Sequence, residues 1–328
     1  PTTRALAAVL SGEPVLREKL FPGAILTRVA SSHIRIGTFQ VYAAQRDWTS
    51  LKTLLDYAIG RHYPSAEGPL GFLEEVIKAQ AALIPKWMGV GFIHGVMNTD
   101  NCQVAGETID YGPCAFMDRY HPMQVYSSID RMGRYAYCTQ PDIIVWNMAQ
   151  LATSLVPLMP DADGAIEAFT KAIHAMSGLI KENWRIVFAS KIGISTVQPD
   201  DESLINALLT LMTDGQADFT NTFAALGTTS ARDQFIEPEK YDVWETEWQT
   251  RIATEMDPHG LMAKSNPVLI PRNHRIEEMI SAAVMGDYAP FQKLQKALSA
   301  PFEQNLEFSD LRRPPNDVEE VRATFCGT

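Results

Sequence analysis

Apolar residues recur at helical spacing through most of this 328-residue chain, and that pattern limits the fold more than any other feature. Residues 51–58 and 72–84 each place their apolar side chains on one helical face, and past residue 150 nearly every segment does the same. The exceptions lie near the start. There, residues 24–29 and 33–42 are rich in β-branched and aromatic residues and predict two extended segments, after a helix over residues 5–18. We therefore predict an α+β fold that is mainly α.

The helices past residue 150 carry recognisable start and stop signals. Asp163 is the expected N-cap of one helix, and Asp200 or Asp201 is the expected N-cap of another. Two more helices are predicted over residues 241–255 and 274–286, the last ending at a glycine. This second half of the chain therefore contains no predicted strand.

The composition is that of a folded, acidic protein. Hydrophobic residues make up 46% of the sequence, charged residues 20%, and the formal net charge is −11. This balance excludes a disordered chain and argues against nucleic acid or an anionic membrane as the main partner. No apolar run reaches the length of a bilayer span. The four cysteines have no metal-binding spacing and are sparse for a disulfide scaffold, which favours a reducing compartment such as the cytoplasm.

Residues 91–113 depart from the helical pattern around them. Residues 103–104 and 108–109 are short strand-like pieces, and the three residues between them include a glycine. A three-residue connection of this kind is typical of a β-hairpin. We therefore predict a hairpin inside a segment that otherwise has few helix signals.

The register of this hairpin would bring oxygen ligands together. If Val104 lies opposite Thr108, then Cys102 lies opposite Asp110, and Asn101 lies diagonally beside Asp110. An amide oxygen and a carboxylate would then meet at the same end of the hairpin. Two hard oxygen ligands with vacant positions suit Mg²⁺, which takes its remaining ligands from water and substrate phosphates.

Asp100 lies one residue before this pair and would supply a second carboxylate. A carboxylate that the metal does not use can orient a hydroxyl group or accept its proton. The residues alone leave a plainer interpretation open, because Asp and Asn are common in glycine-containing loops as turn caps. His94 is expected to be a buried, hydrogen-bonded histidine rather than a base.

These residues resemble the signature of the selenoprotein O (YdiU) family, and the resemblance extends over essentially the whole chain. Residues 94–101 read HGVMNTDN and residues 108–113 read TIDYGP. The other matching runs are PTTRAL at 1–6, PGAILTRVASSHIRIGTFQ at 22–40, GRYAY at 133–137, and the pairs NP at 266–267 and RN at 272–273.

The resemblance implies a protein-kinase-like protein that transfers AMP from ATP to Ser, Thr or Tyr hydroxyls of other proteins. It assigns Asp100 as the catalytic base and Asn101 and Asp110 as ligands of Mg²⁺ or Mn²⁺. It also places Arg28 and Arg35 at the nucleotide phosphates, where a planar guanidinium can bind two phosphate oxygens at once. In this family the ATP lies reversed relative to a kinase, so that the α-phosphate faces the acceptor.

The resemblance further implies two lobes. Residues 1–45 would be the remnant of a kinase-like N-lobe, with a helix and two strands, and residues 46–328 a mostly helical C-lobe with the catalytic hairpin at 91–113. The family's glycine-rich loop, its ATP-binding lysine and the glutamate that pairs with the lysine lie upstream of the element that begins here at Pro1. We therefore expect an N-terminally truncated member whose parent protein is active and which is itself inactive.

Some members of the family are thought to pair a C-terminal cysteine with one that follows the DYG element. The residues here that would correspond are Cys326 and either Cys114 or Cys138. Two cysteines bond only within a narrow range of Cα separation. Buried, unreactive thiols are the expectation that the sequence favours.

Two other functions compete with AMP transfer. One is ordinary protein-kinase phosphoryl transfer, with ATP in the usual orientation. The other is a non-catalytic pseudokinase or interaction module. The joint presence of Asp100, Asn101 and Asp110 argues against a decayed site, because a site without chemistry has no need of all three.

Overall fold

The computed structural model describes residues 1–17 and 19–325, so Cys326 and its predicted disulfide lie outside the described residues. The chain is mainly helical, with two small two-stranded sheets in the described part. The strands are β1 (Arg4–Leu16), β2 (Leu20–Val29), β3 (Phe92–Ile93) and β4 (Ala115–Phe116). The helices are α1 (Ile36–Gln45), α2 (Trp48–His62), α3 (Gly68–Gly89), α4 (Gln140–Leu155), α5 (Ala162–Lys191), α6 (Asp201–Asp214), α7 (Phe219–Ala225), α8 (Pro238–Ile252), α9 (Pro258–Ser265), α10 (Asn273–Val284) and α11 (Ala289–Leu298).

The first sheet is an antiparallel hairpin of β1 and β2, and it corrects the prediction of a helix over residues 5–18. The Ala- and Leu-rich start has high helix propensity, but propensity is a weak guide that pairing with a neighbouring strand overrides. Gly12 has a φ of 78°, and Pro14 offers no main-chain N–H, so neither suits a helix interior. All of β1 is exposed, and the prediction of an extended segment at residues 24–29 is confirmed within β2.

The second predicted strand, over residues 33–42, is wrong, because most of this segment belongs to α1. Its β-branched residues imitate a strand, whereas the buried pair Ile36 and Phe39 has the three-residue spacing of a helix. The hydroxyl oxygen of Thr38 accepts a hydrogen bond from the main-chain N–H of Arg35 at 3.2 Å, which holds the first turn. The predicted lobe boundary after residue 45 stays a prediction.

The main core surrounds the long helices α3 and α5, with α1, α2 and α4 packed around them. The predicted helices at residues 51–58 and 72–84 are confirmed as α2 and α3, and the buried faces include Leu51, Leu55, Phe72 and Val76. A smaller apolar cluster lies around α11. Among the described residues, no helix is both long enough and apolar enough to cross a membrane.

The later helices agree with the sequence except in one cap. The helix predicted to start at Asp163 is α5, but its N-cap is Asp161, whose carboxylate accepts a hydrogen bond from the N–H of Asp163 at 3.2 Å. Asp200 is the N-cap residue of α6, as predicted, although its side chain makes no capping bond. The helices α8 and α10 confirm the two remaining predictions within a few residues.

Candidate functional site

The segment that carries the predicted site is a loop enclosed by the second sheet. The strand β3 follows α3 directly, and it pairs antiparallel with β4, so that Phe92 lies opposite Phe116 and Ile93 lies opposite Ala115. Residues 94–114 therefore leave the sheet and return to it. We call residues 94–104 the catalytic loop, after the role that the sequence predicts for Asp100.

Four side chains from the helical body, three of them buried, hold the catalytic loop by its main chain. This arrangement satisfies main-chain groups that an irregular buried segment would otherwise leave unpaired. The bonds are Gln80 Nε2 to the oxygen of Gln103 (2.6 Å), Asn147 Nδ2 to the oxygen of Met97 (2.9 Å), Tyr63 Oη to the oxygen of Val104 (2.7 Å), and the N–H of His94 to Oε1 of Gln140 (3.0 Å).

The hairpin exists, but its predicted register is wrong. Thr108 lies opposite Cys102 and not opposite Val104. The connection between the two paired residues is therefore longer than the three residues predicted. Gln103, which the sequence predicts to belong to the hairpin, pairs with Arg35 in a second antiparallel bridge. Thr108 also pairs with Thr2, and its hydroxyl oxygen accepts a 2.8 Å hydrogen bond from Nε1 of the buried Trp87. These partners lie far away in the sequence, so the local pattern cannot indicate them.

Asp100 and Asn101 lie on a tight turn at the tip of the catalytic loop. The main-chain N–H of Asn101 donates to the oxygen of Asn98 at 3.1 Å, and the N–H of Asp100 donates to the Asn98 side chain at 3.1 Å. The Asp100 side chain is exposed, and no donor among the described residues contacts its carboxylate. Such a carboxylate is available to a ligand.

Asn101 and Asp110 each keep an oxygen free for a metal. Nδ2 of Asn101 donates to the oxygen of Val96 at 2.9 Å, which turns the amide nitrogen inward and leaves Oδ1 available. Oδ1 of Asp110 accepts a hydrogen bond from the N–H of Gly112 at 3.0 Å, which leaves Oδ2 available to a metal. This hard-oxygen set fits Mg²⁺ or Mn²⁺. The described residues contain no cluster of three or more His, Cys, Asp or Glu that could hold a metal by themselves.

His94 is the first residue of the catalytic loop. It is fully buried, and its ring packs against Trp87 with centroids 5.3 Å apart. Burial lowers the pKa of His94 to about 4, although the charge of Asp110 opposes that shift. The imidazole is therefore neutral at pH 7. It is buried, as expected, and its Nδ1 accepts a hydrogen bond from the main-chain N–H of Val96 at 3.4 Å, whereas Nε2 has no hydrogen-bond partner among the described residues.

The thiols near the site are protonated. Burial, with a further contribution from the charge of Asp110, raises the pKa of both Cys102 and Cys114 to about 12. Burial also raises the pKa of Cys138. All three are free cysteines. This agrees with the prediction of unreactive thiols at these three positions.

The two predicted phosphate-binding arginines are held differently. Nη1 of Arg28 donates a 2.5 Å hydrogen bond to the main-chain oxygen of Ile109, next to Asp110. Arg28 also lines a cavity of about 560 Å³ together with His33 and Arg61, so the cavity carries two permanent cations. Arg35 is exposed at the start of α1 and is tied to the hairpin through its main chain.

Sequence reasoning missed a buried ion cluster that anchors the segment after Asp110. Arg272 is 1% exposed, and its guanidinium binds both oxygens of Asp218 at 2.8 and 3.1 Å. It also donates to Asp118, eight residues after Asp110. Nδ2 of Asn273 donates to the oxygen of Phe116 at 3.2 Å, within β4. The partners are more than 50 residues apart along the chain, so no local signal could have found them.

Comparison with known proteins gives the family. Residues 1–299 match the family model described as protein adenylyltransferase SelO. A protein from Ruegeria sp. strain TM1040 is 60% identical over the whole chain, and one from Ruegeria pomeroyi is 58% identical. A protein from Rhodopseudomonas palustris is 50% identical. All three are named protein nucleotidyltransferase YdiU, and the chain spans 70% of the length of each. The chain therefore belongs to the SelO family of protein adenylyltransferases.

Proposed function

We propose that this protein transfers AMP from ATP to the hydroxyl group of a Ser, Thr or Tyr residue in other proteins, with a divalent metal. The observation that carries the proposal is the Asp100 carboxylate, which is exposed and free of donors among the described residues. It lies on a turn whose next residue is Asn101. Side chains of the helical body hold the main chain of that loop, so the turn that carries Asp100 is fixed in place before a substrate binds.

In this mechanism Asp100 accepts the proton of the acceptor hydroxyl as its oxygen attacks the α-phosphorus. A new P–O bond forms to the acceptor, the bond to the bridging oxygen of pyrophosphate breaks, and pyrophosphate leaves with the electron pair. The carboxylate needs to lie within hydrogen-bond reach of the attacking hydroxyl. Its exposure gives a protein side chain access to it.

Asn101 and Asp110 would hold the metal through the oxygens that their own hydrogen bonds leave free. A bound divalent ion neutralises charge on the phosphates and polarises them toward attack. Main-chain groups fix both side chains: the oxygen of Val96 accepts from Nδ2 of Asn101, and the N–H of Gly112 donates to Oδ1 of Asp110. This support keeps the two oxygens in position without a cluster of additional carboxylates.

Arg28 and Arg35 would bind the β- and γ-phosphates, which leaves the α-phosphate toward Asp100. The cavity beside Arg28, with Arg61 and His33 in its lining, supports an anionic occupant there. This placement corresponds to the reversed ATP of the family. Charge alone does not distinguish it from the usual kinase orientation, so the position of a transferred label must decide.

A kinase-like arrangement of two lobes is part of the proposal. The hairpin of β1 and β2 exposes large apolar side chains, among them Leu6 (75%), Leu10 (77%) and Ile25 (64%). An exposed apolar sheet of this size is typical of a surface that further polypeptide covers. The prediction that a glycine-rich loop and an ATP-binding lysine complete the nucleotide site stays a prediction.

Mass spectrometry of modified proteins tests the proposal. Two forms are assayed. One is the 328-residue chain alone, and the other is a chimaera that joins this chain to the region of the Ruegeria sp. protein that lies outside the match. Each is incubated with ATP, Mg²⁺ or Mn²⁺ and a protein extract, beside its Asp100→Ala variant. The proposal predicts AMP on Ser, Thr or Tyr residues, formed by at least one wild-type form and by neither variant. Phosphate in place of AMP would make the protein a kinase, and an unmodified extract would favour a binding module.

A further inference from the structure

Gly37, the second residue of α1, lies directly against the carboxylate of Asp100. A Cβ atom built on Gly37 would overlap Oδ1 of Asp100 and would lie 3.0 Å from its Cγ. The Asp100 side chain therefore occupies the space in which any other residue at position 37 would carry its own side chain. This contact joins an element far from the catalytic loop in sequence to the proposed proton acceptor.

The main chains on both sides of this contact are fixed to each other. The N–H of Gly37 donates to the oxygen of Thr99 at 2.9 Å, and the N–H of Ile36 donates to the oxygen of Cys102 at 3.0 Å. Oγ1 of Thr99 also donates to Oε1 of Gln40 at 2.5 Å. The first turn of α1 and the turn that carries Asp100 thus form one rigid unit, and the Asp100 side chain is its adjustable part.

Backbone conformation does not explain a glycine at position 37. Gly37 is absent from the positive-φ glycines of the described residues, so its conformation is open to any L-residue. Within a helix, glycine is less favourable than alanine by about 1 kcal/mol. Local structure would therefore favour alanine, whereas the space that Asp100 takes requires glycine.

We infer that Gly37 is a positioning residue for Asp100: its missing side chain makes the space that holds the carboxylate against the first turn of α1. The inference rests on the proposed role of Asp100 as proton acceptor. Gly37 does not touch the reacting atoms in this account. It acts by leaving open the space in which the Asp100 carboxylate packs against α1.

Gly37→Ala should separate transfer from folding and binding. The easiest relief of the new contact is rotation of the exposed Asp100 side chain into solvent, which leaves the main-chain hydrogen bonds intact. Stability should then not fall below that of the wild type, and the KM for ATP should stay at its wild-type value. The kcat for AMP transfer should fall by about a hundredfold, as expected for a reacting group displaced by about 1 Å.

Two other helical glycines provide matched controls. A Cβ on Gly60, in α2, or on Gly178, in α5, would meet no atom within 4 Å. Gly60→Ala and Gly178→Ala therefore make the same chemical change without touching Asp100. Both variants should keep the wild-type kcat.

The test measures kcat, KM for ATP and Tm for the three alanine variants in whichever form of the protein transfers AMP. A large loss of kcat in Gly37→Ala alone, at unchanged KM and without a fall in Tm, is the expected result. Wild-type transfer by Gly37→Ala, beside an inactive Asp100→Ala, would overturn this inference and leave the proposed function standing. A fall in Tm together with the loss of kcat in Gly37→Ala would also overturn it, because Gly37 would then be needed for the fold. A wild-type protein that transfers no AMP would overturn both.

Discussion

The guanidinium of Arg28 donates a 2.5 Å hydrogen bond to the main-chain oxygen of Ile109, the residue before Asp110. The bond connects the exposed β-hairpin to the segment that carries the proposed metal ligand. Tyr111 lies on the same side, with its ring centroid 6.0 Å from the guanidinium carbon. Arg28 is thus fixed at the edge of the site while it lines the cationic cavity.

Replacing Arg28 should weaken nucleotide binding. A charge-assisted hydrogen bond to phosphate is stronger than a neutral one, so Arg28→Ala should raise the Kd for ATP by about tenfold. Isothermal titration with ATP and Mg²⁺ measures the change. Arg322→Ala removes an equal charge from an exposed pair with Glu320 and is the control. Equal affinities for the two variants would remove Arg28 from the phosphate site.

Asp110→Asn should lose the metal dependence of nucleotide binding. The substitution preserves shape and the hydrogen bond from Gly112 but removes the negative charge that holds a divalent ion. The Kd for ATP is measured with and without Mg²⁺ for the wild type and the variant. The wild type should bind more tightly with Mg²⁺, and Asp110→Asn should show little difference. Asp56→Asn, in an exposed pair with Lys52, should behave as wild type. A full Mg²⁺ response in Asp110→Asn would contradict the ligand assignment.

Arg272→Met should destabilise the fold strongly. It leaves the carboxylates of Asp118 and Asp218 in a largely buried setting without their partner, which costs about 3–5 kcal/mol in comparable cases. Urea unfolding followed by fluorescence measures the free energy of unfolding. Arg232→Met, which breaks an exposed pair with Asp242, is the control and should change little. Similar decreases in the free energy of unfolding for both variants would show that the buried cluster contributes no more to stability than an exposed ion pair.

Lys191 should make stability depend on pH above neutrality. It is 2% exposed, it donates to Oδ1 of Asn266 at 2.8 Å, and its burial lowers its pKa to about 7 from an ordinary 10.5. Between these two values the unfolded chain binds a proton that the folded chain does not. The free energy of unfolding should therefore rise with pH across that interval.

The comparison of wild type with Lys191→Met isolates this effect. Urea unfolding at several pH values between about 7 and about 10 should give a steeper rise for the wild type. All other titrating groups are common to both proteins, so the difference in slope belongs to Lys191. Parallel slopes would show that the folded protein keeps Lys191 charged.

The sequence predicts the helices whose formation depends on local periodicity. It does not predict elements whose conformation depends on partners that are distant in the sequence. The faces of α2 and α3 follow from residues such as Leu51 and Phe72, which are near neighbours on one helix. The strand β1 was missed because its conformation comes from pairing with β2, and α1 because its β-branched residues imitate a strand. The predicted register of the hairpin is wrong because a distant residue takes part: Gln103 pairs with Arg35 and not with a residue of the hairpin.

The residues of the candidate site also fall into two groups: those that the sequence predicts and those that only the fold shows. Asp100, Asn101 and Asp110 were accessible to reasoning because oxygen ligands and turn residues lie together in one short segment. Gly37 was not, because its importance lies in an atom it lacks and in contact with a residue 63 positions further along the numbering (37 to 100). Arg272 was matched only as part of a family run, and its two carboxylate partners became visible only in the fold.

The most direct test of the central claim is the position of the phosphorus that reaches the acceptor protein. ATP labelled at the α-phosphate or at the γ-phosphate is supplied, in separate reactions, to the wild-type protein and to Asp100→Ala with divalent metal and a protein extract. The account predicts that protein takes up label from the α position only, and that Asp100→Ala removes it. Label from the γ position, or α-label that persists in Asp100→Ala, would contradict it.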